Sequence, residues 1–247
     1  MLTRYRFRPG LGVTLATLVL LPGLLALGFW QLDRGRQKME IREQYEARAG
    51  MESVDINRDV VHPATADFRR AAAKGRYREA LTIFLDNRIL NGVPGYEVLT
   101  PLEVEGEAGR MSRFLLVNRG WIAWGDSRQE LPDVDTPRGV VVLSGRLKVP
   151  AKEYFTLEKR TDGTGFSPRW QNLDLDRYRR VTGLTVYPFI LELDREKTGV
   201  GGLVRQWPEY DDHWVQRHRA YAVQWFGLAA LLLVLYVVLN LEKRDMS

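Results

Sequence analysis

From Ala220 to Leu241 the chain carries no ionisable side chain other than tyrosine. As a helix that stretch covers roughly 30 Å, the thickness of a bilayer hydrocarbon core, so it predicts a membrane span over 220–241 and a short tail over 242–247. A second apolar run, Leu11 to Leu32, follows Arg4, Arg6 and Arg8. A basic start and an apolar run also open a signal peptide. This run, however, is long enough to span, lacks a small-x-small cleavage site and ends in the bulky Gly28-Phe29-Trp30-Gln31-Leu32. It therefore predicts an uncleaved span over 11–32 behind a tail over 1–10, with Trp30 at the far interface. Two spans place both termini on one side. Lysines and arginines flank both ends of both spans, so the basic N-terminal tail is the guide, and it puts the termini in the cytoplasm. No Arg- and Ser-rich transit peptide precedes the first span, and the expected setting is bacterial.

The segment 33–219 between the spans begins with a charged stretch rich in helix formers, Asp33 to Ala49, which predicts that the first helix continues out of the membrane. Met51 to Thr65, with Pro63, reads as a loop, and His62 beside that proline as a surface residue. Strand patterns follow at Leu81–Leu85, Tyr96–Thr100, Phe114–Asn118, Val140–Val149 and Val186–Leu193. Asn87 to Gly95 carries the Asn-Gly and Pro-Gly punctuation of turns, and Asp174 to Thr182 reads as a short helix ended by Gly183. The expected fold is a membrane protein in which two transmembrane helices flank a mainly antiparallel β (α+β) domain, barrel- or sandwich-like. Two segments around Gly75-Arg76 and Gly145-Arg146 share an apolar-x-Gly-Arg-apolar shape, too short for a repeat.

The chain has no cysteine, which removes disulfides, thiolate nucleophiles and Cys-based metal sites. Its formal charge of +5 is spread among many acidic residues across 247 positions. No concentrated basic face points to nucleic acid, and the excess suits anionic lipid. No Walker-type loop, GxGxxG, HExxH or GxSxG occurs. Gly125-Asp126-Ser127 would give a membrane-anchored hydrolase its nucleophile, but without a placed base it reads as a turn. The three histidines are His62, His213 and His218, and the last two, five apart, fall on different helix faces.

His218, Tyr221 and Trp225 stand at i, i+3 and i+7 on the second helix, with Trp214 a turn earlier. One reading is an interfacial aromatic belt with Arg217 and Arg219. The other makes His218 an axial ligand to haem iron, with the macrocycle against Tyr221 and Trp225 and its propionates near the arginines. The first span holds no His, Met or Cys to serve as a second ligand.

Four segments together resemble the SURF1 family, membrane factors of haem-copper oxidase assembly. They are Gly28-Phe29-Trp30-Gln31-Leu32-Asp33-Arg34 with Lys38; Asn87-Arg88 followed by Gly95-Tyr96-Glu97-Val98-Leu99-Thr100-Pro101-Leu102; Leu116-Val117-Asn118-Arg119-Gly120-Trp121-Ile122; and His218-Arg219-Ala220-Tyr221-Ala222-Val223-Gln224-Trp225-Phe226. The resemblance implies a non-enzymatic protein of the inner membrane, its central domain in the periplasm, that aids haem a insertion into subunit I of cytochrome c oxidase. A haem-free scaffold steadying subunit I or haem a synthase is the alternative. Within the family the histidine opening the second span is implicated in haem binding, here His218; many members carry Asn before it, where this chain has Arg217. Asn118 and Gly120 read as a strand-end turn on which Arg119 and Trp121 pack, and the resemblance gives that stretch a structural or partner-contact role.

Overall fold

The computed structural model describes residues 5–106, 113–125, 130–150, 165–195, 202–207 and 213–243. In chain order the elements are β1 (Tyr5–Phe7), α1 (Leu11–Ala49), β2 (Val54–Asp55), α2 (Pro63–Ala66), β3 (Arg70–Tyr77), a 3-10 turn (Glu79–Leu81), β4 (Ile83–Leu90), β5 (Val93–Val104), β6 (Arg113–Ala123), β7 (Val140–Lys148), β8 (Arg169–Trp170), α3 (Leu175–Thr182), β9 (Val186–Leu193), α4 (His213–Leu239) and β10 (Leu241–Lys243). They form two units, 1–43 with 210–247, and 44–209.

The first unit is an antiparallel helix pair. Gly10 N donates to Asn240 Oδ1 (2.7 Å), Thr14 and Tyr236 share a hydroxyl bond (3.1 Å), and Gln31 meets His218 (2.7 Å), so positions rise on α1 as they fall on α4. On α4 the buried positions are Val215, Ala222 and Ala229, each seven apart. A seven-residue repeat keeps one seam facing the partner when two helices wind left-handedly. Small residues let the backbones approach: a Cβ on Gly28 would lie 2.6 Å from the Phe226 ring, which also meets Phe29 edge-on at 5.3 Å. Away from the seam Leu18, Val19, Val223 and Val234 are exposed. Both helices are long and apolar enough to cross a membrane, and their outward apolar faces are what hydrocarbon requires. β1 pairs with β10 beyond the apolar stretches, with Arg8 N donating to Asn240 O (2.8 Å). α4 begins at His213, a full two turns before the apolar run, and α1 runs on to Ala49.

The second unit is one twisted sheet in the order β2-β3-β7-β9-β6-β5-β4-β8, with β3 also pairing to β5. That extra pairing closes β3, β7, β9, β6 and β5 into a five-stranded ring, a barrel rather than a sandwich. The pairings are mostly antiparallel, with parallel contacts at β2–β3, β4–β8 and β6–β9. The ring turns tightly where Gly75 and Gly145 sit. A Cβ at Gly75 would stand 2.1 Å from Glu103 O on β5, and one at Gly145 2.1 Å from Glu192 O on β9. The two Gly-Arg segments therefore share a job. In each, a strand held by one neighbour is crossed closely by another, and only a residue without a side chain fits.

The ring's inner face packs Ala71, Ala73, Leu102, Leu115, Val117, Leu147, Phe189 and Leu191. The outer face of the same strands buries Leu99, Phe114, Leu116, Val186 and Ile190 beneath Trp170 and Tyr178. Strands covered on both sides need continuous apolar runs, which is why Phe114–Val117 and Phe189–Leu191 do not alternate. α3 supplies part of the cover. At eight residues it is too short to hold by itself. Asp174 accepts Arg177 N (2.8 Å) as N-cap, Gly183 closes the C-terminus, and the fully buried Tyr178 anchors the helix through its hydroxyl to Leu81 O (2.8 Å). Burial pushes the Tyr178 phenol well above its ordinary range.

Two local readings are corrected. The reversal expected within 87–95 is made by its Asn91-Gly92, but it is shorter than that segment: β4 runs on through Asn87 (φ 59) to Leu90, with a bulge between Leu85 and Arg88. Asn118-Arg119-Gly120 does not end a strand, since β6 continues to Ala123: Asn118 pairs with Leu99 and Gly120 (φ 133) with Val98 of β5, and Arg119 is the extra residue of a bulge between them.

Candidate functional site

Two clusters bring together the residues singled out in the sequence, one in each unit. In the helix pair, His218 is half-buried and turned toward α1. Its Nδ1 lies 2.7 Å from the side-chain oxygen of Gln31, and its Cβ is 3.5 Å from where a Cβ on Gly35 would be. The absence of a side chain at Gly35 gives the imidazole its place on the seam. With a carbonyl oxygen as partner Nδ1 carries the proton and donates, which fixes the tautomer and leaves the lone pair on Nε2.

Trp225, seven residues on, is rotated only about 20° from His218 around the helix and is half-buried, whereas Tyr221, about 60° away, is 46 % exposed. The three share a broad face but not a common pocket: His218 looks into the seam, Tyr221 outward. The side chains of Trp214 and His213 lie outside the described residues, as does Ser127. His62 accepts Ala64 N at Nδ1 (3.3 Å) and caps α2, which accounts for it structurally. Among the described residues no group of three or more His, Asp or Glu is placed to hold a metal ion. Gln31 was visible as part of an apolar-to-polar boundary, but nothing in the one-dimensional pattern joins it to a histidine 187 positions away.

In the barrel unit, Asn87-Arg88, Glu97 and Asn118-Arg119-Gly120-Trp121 converge. Asn118 Nδ2 donates to Glu97 Oε2 (3.0 Å), Trp121 Nε1 donates to Arg88 O (2.7 Å), and Trp121 exchanges two 2.8 Å backbone bonds with Val204. Gly120 is required beneath that last contact, because a Cβ there would sit 2.9 Å from Val204 O. Asn87, Arg88, Glu97 and Trp121 wall a cleft of about 660 Å³ with Glu192 and Trp207, where Glu192 is paired to Lys148 (2.7 Å).

Next to it Arg119 is buried. Its guanidinium donates to Thr136 Oγ1 (2.8 Å), to Thr100 Oγ1 (3.5 Å) and to Asp135 O, and lies 5.3 Å from the Tyr77 ring centre. Burial lowers its pKa from the ordinary arginine value, and pushes the Tyr77 phenol up to about 12. Neither cluster has the nucleophile, base and oxyanion donors of a hydrolytic site among the described residues.

Fold and sites define a membrane protein whose two apolar helices bracket a β-barrel domain. The chain belongs to the SURF1 family, whose sequence model matches residues 18–230. It is 32% identical to Surfeit locus protein 1 of Arabidopsis thaliana over 55% of this chain and 41% of that protein. It is 25% identical to a SURF1-like protein of Rickettsia bellii over 91% of this chain and 88% of the relative, and 23% identical to Surfeit locus protein 1 of Xenopus tropicalis over 86% and 71%. Membership implies a part in cytochrome c oxidase assembly in general.

Proposed function

We propose that this chain is a non-enzymatic assembly factor of a bacterial inner membrane, its barrel domain in the periplasm, that takes up haem a at His218 and hands it to subunit I of cytochrome c oxidase. One observation carries this reading. Gln31 accepts from Nδ1 of His218, and an imidazole so held offers Nε2 as an axial ligand in a set orientation. Trp225 and Tyr221 supply aromatic surface on the adjoining turns, and a single protein ligand suits a cargo that must be released. Gln31 is in this reading a positioning residue.

The same geometry favours a second reading. His218 lies on the helix seam, so its bond to Gln31 also works as a clip between the two spans of a haem-free scaffold that steadies subunit I or haem a synthase.

The visible absorption spectrum of the protein, purified in mild detergent from cells that make haem a, separates the two. A stoichiometric haem band that disappears in His218→Ala and falls in Gln31→Leu, with Gln31→Glu restoring it, is the expected result. A folded wild type without haem would leave the scaffold, and then Gln31→Leu should loosen the helix pair, read as faster proteolysis between the spans.

A further inference from the structure

We propose that the cavity lined by Arg119 and Arg205 in the barrel unit is a binding site for a carboxylate carried on a short apolar stem. The cavity measures about 310 Å³ and is lined by residues of the barrel unit. Arg119, on β6, is only 3% exposed, and every hydrogen bond its guanidinium makes goes to a neutral acceptor: two threonine hydroxyls and one peptide carbonyl. Arg205 stands beside it and is likewise spent on neutral groups, donating to Arg119 O (3.1 Å) and Asp194 O (3.5 Å). Among the described lining residues the one carboxylate, Asp194, is already held by Arg70 (2.7 Å) and by Ser144 (2.7 Å). Among the described residues neither guanidinium has an ion-pair partner: Glu79 and Asp135 act on Arg119 only through their charge, and neither carboxylate is bonded to it.

A buried cation without an ion-pair partner is costly, and arginine's fork of donors matches the two oxygens of a carboxylate. Each arginine repels the other's charge, a strain that an anion between them removes. Tyr77 does not fill that role, since its phenol holds its proton up to about pH 12. The rest of the lining selects the stem. Pro137, Val141, Leu143 and Leu193 give the cavity apolar walls that a bare inorganic anion would not use. Val142, 75% exposed at the rim, leaves the cavity open to solvent and to an incoming chain.

The experiment is a thermal-unfolding titration of the full chain in mild detergent, at constant ionic strength against chloride, with hexanoate, hexanamide and inorganic phosphate. Hexanoate should raise the midpoint by roughly 3–6 °C at ten times its dissociation constant, with hexanamide inert and phosphate weak. Arg205→Gln should cut hexanoate affinity at least tenfold and Arg205→Lys less. Arg205 is the variant of choice because Arg119 also ties down residues 135–136, whose release would confound the reading.

Equal effects of hexanoate and hexanamide would overturn the proposal. So would a response to phosphate alone, or an Arg205→Gln protein that binds as the wild type does. A peptide ending in a free leucine carboxylate, beside its C-terminal amide, identifies the source. Binding tenfold tighter than hexanoate means a carboxylate on a partner chain, and binding no tighter means a free acid; both sustain the site.

Discussion

The helix pair and the barrel both rely on glycine for close approach, but against different neighbours. At Gly28 an added Cβ meets the Phe226 ring at 2.6 Å, a side chain that can turn aside. At Gly75 and Gly145 it meets a peptide carbonyl at 2.1 Å, and that carbonyl belongs to a neighbouring strand of the closed ring. A side-chain clash is relieved locally, whereas a backbone clash must be relieved by opening a sheet. The two regions differ in the same way in their apolar residues. The helices keep a thin seam and turn the rest outward, while the barrel encloses its apolar residues between two faces. The barrel should therefore fail cooperatively and the helix pair gradually.

The largest effect expected from that contrast is at Gly145→Ala or Gly75→Ala, each costing at least about 3 kcal/mol by overpacking that the ring cannot relax. Thermal unfolding in detergent reads it, and a stable variant would show that the ring flexes where it is drawn tight. Arg119→Ala should follow at about 2–3 kcal/mol, because the Thr100 and Thr136 hydroxyls and the Asp135 carbonyl lose their donor inside the barrel unit. The denaturant midpoint measures this, with Arg119→Met expected to recover part of the loss through packing alone.

Gly28→Ala should cost only about 1–2 kcal/mol, and the double variant with Phe226→Ala should recover most of that. Non-recovery would mean that the backbone, not the ring, sets the helix separation, and the contrast with the barrel would vanish.

A smaller signal comes from Tyr77. Its phenol is protonated in the folded state up to about pH 12 against an ordinary value of 10.0, so between those values the folded protein binds more protons than the unfolded. Stability must then fall as pH rises through that window. Tyr77→Phe should flatten the decline relative to wild type, and an unchanged slope would place the phenol in water. Least of all should change at the exposed Arg8–Glu242 pair (3.4 Å), where Glu242→Gln is expected to cost less than about 0.5 kcal/mol.

The sequence conveyed the spans well because a membrane crossing is a one-dimensional property: a length of apolar chain between charges. It conveyed most strands for the same kind of reason, although β3 was apparent only as an echo of β7, its alanines giving little strand signal. Asn87 and Gly120 misled in one direction. Each has the composition of a turn, yet pairing to β5 before and after the irregularity keeps it within a strand, and local preference cannot report the strand that supplies that pairing. Helical spacing placed His218, Tyr221 and Trp225 on one broad face, but it did not show that His218 turns into the seam while Tyr221 is 46 % exposed.

Composition and periodicity thus determined what this protein is made of: two apolar helices, a cysteine-free β-rich domain between them, and a histidine where the second helix meets charge. Only the tertiary structure decided that the sheet closes into a ring through β3 and β5, that Gln31 meets His218, and that Arg119 and Arg205 line one cavity. These are contacts between residues far apart in the chain. Each depends on where packing puts the backbone, and no local preference of either partner encodes it.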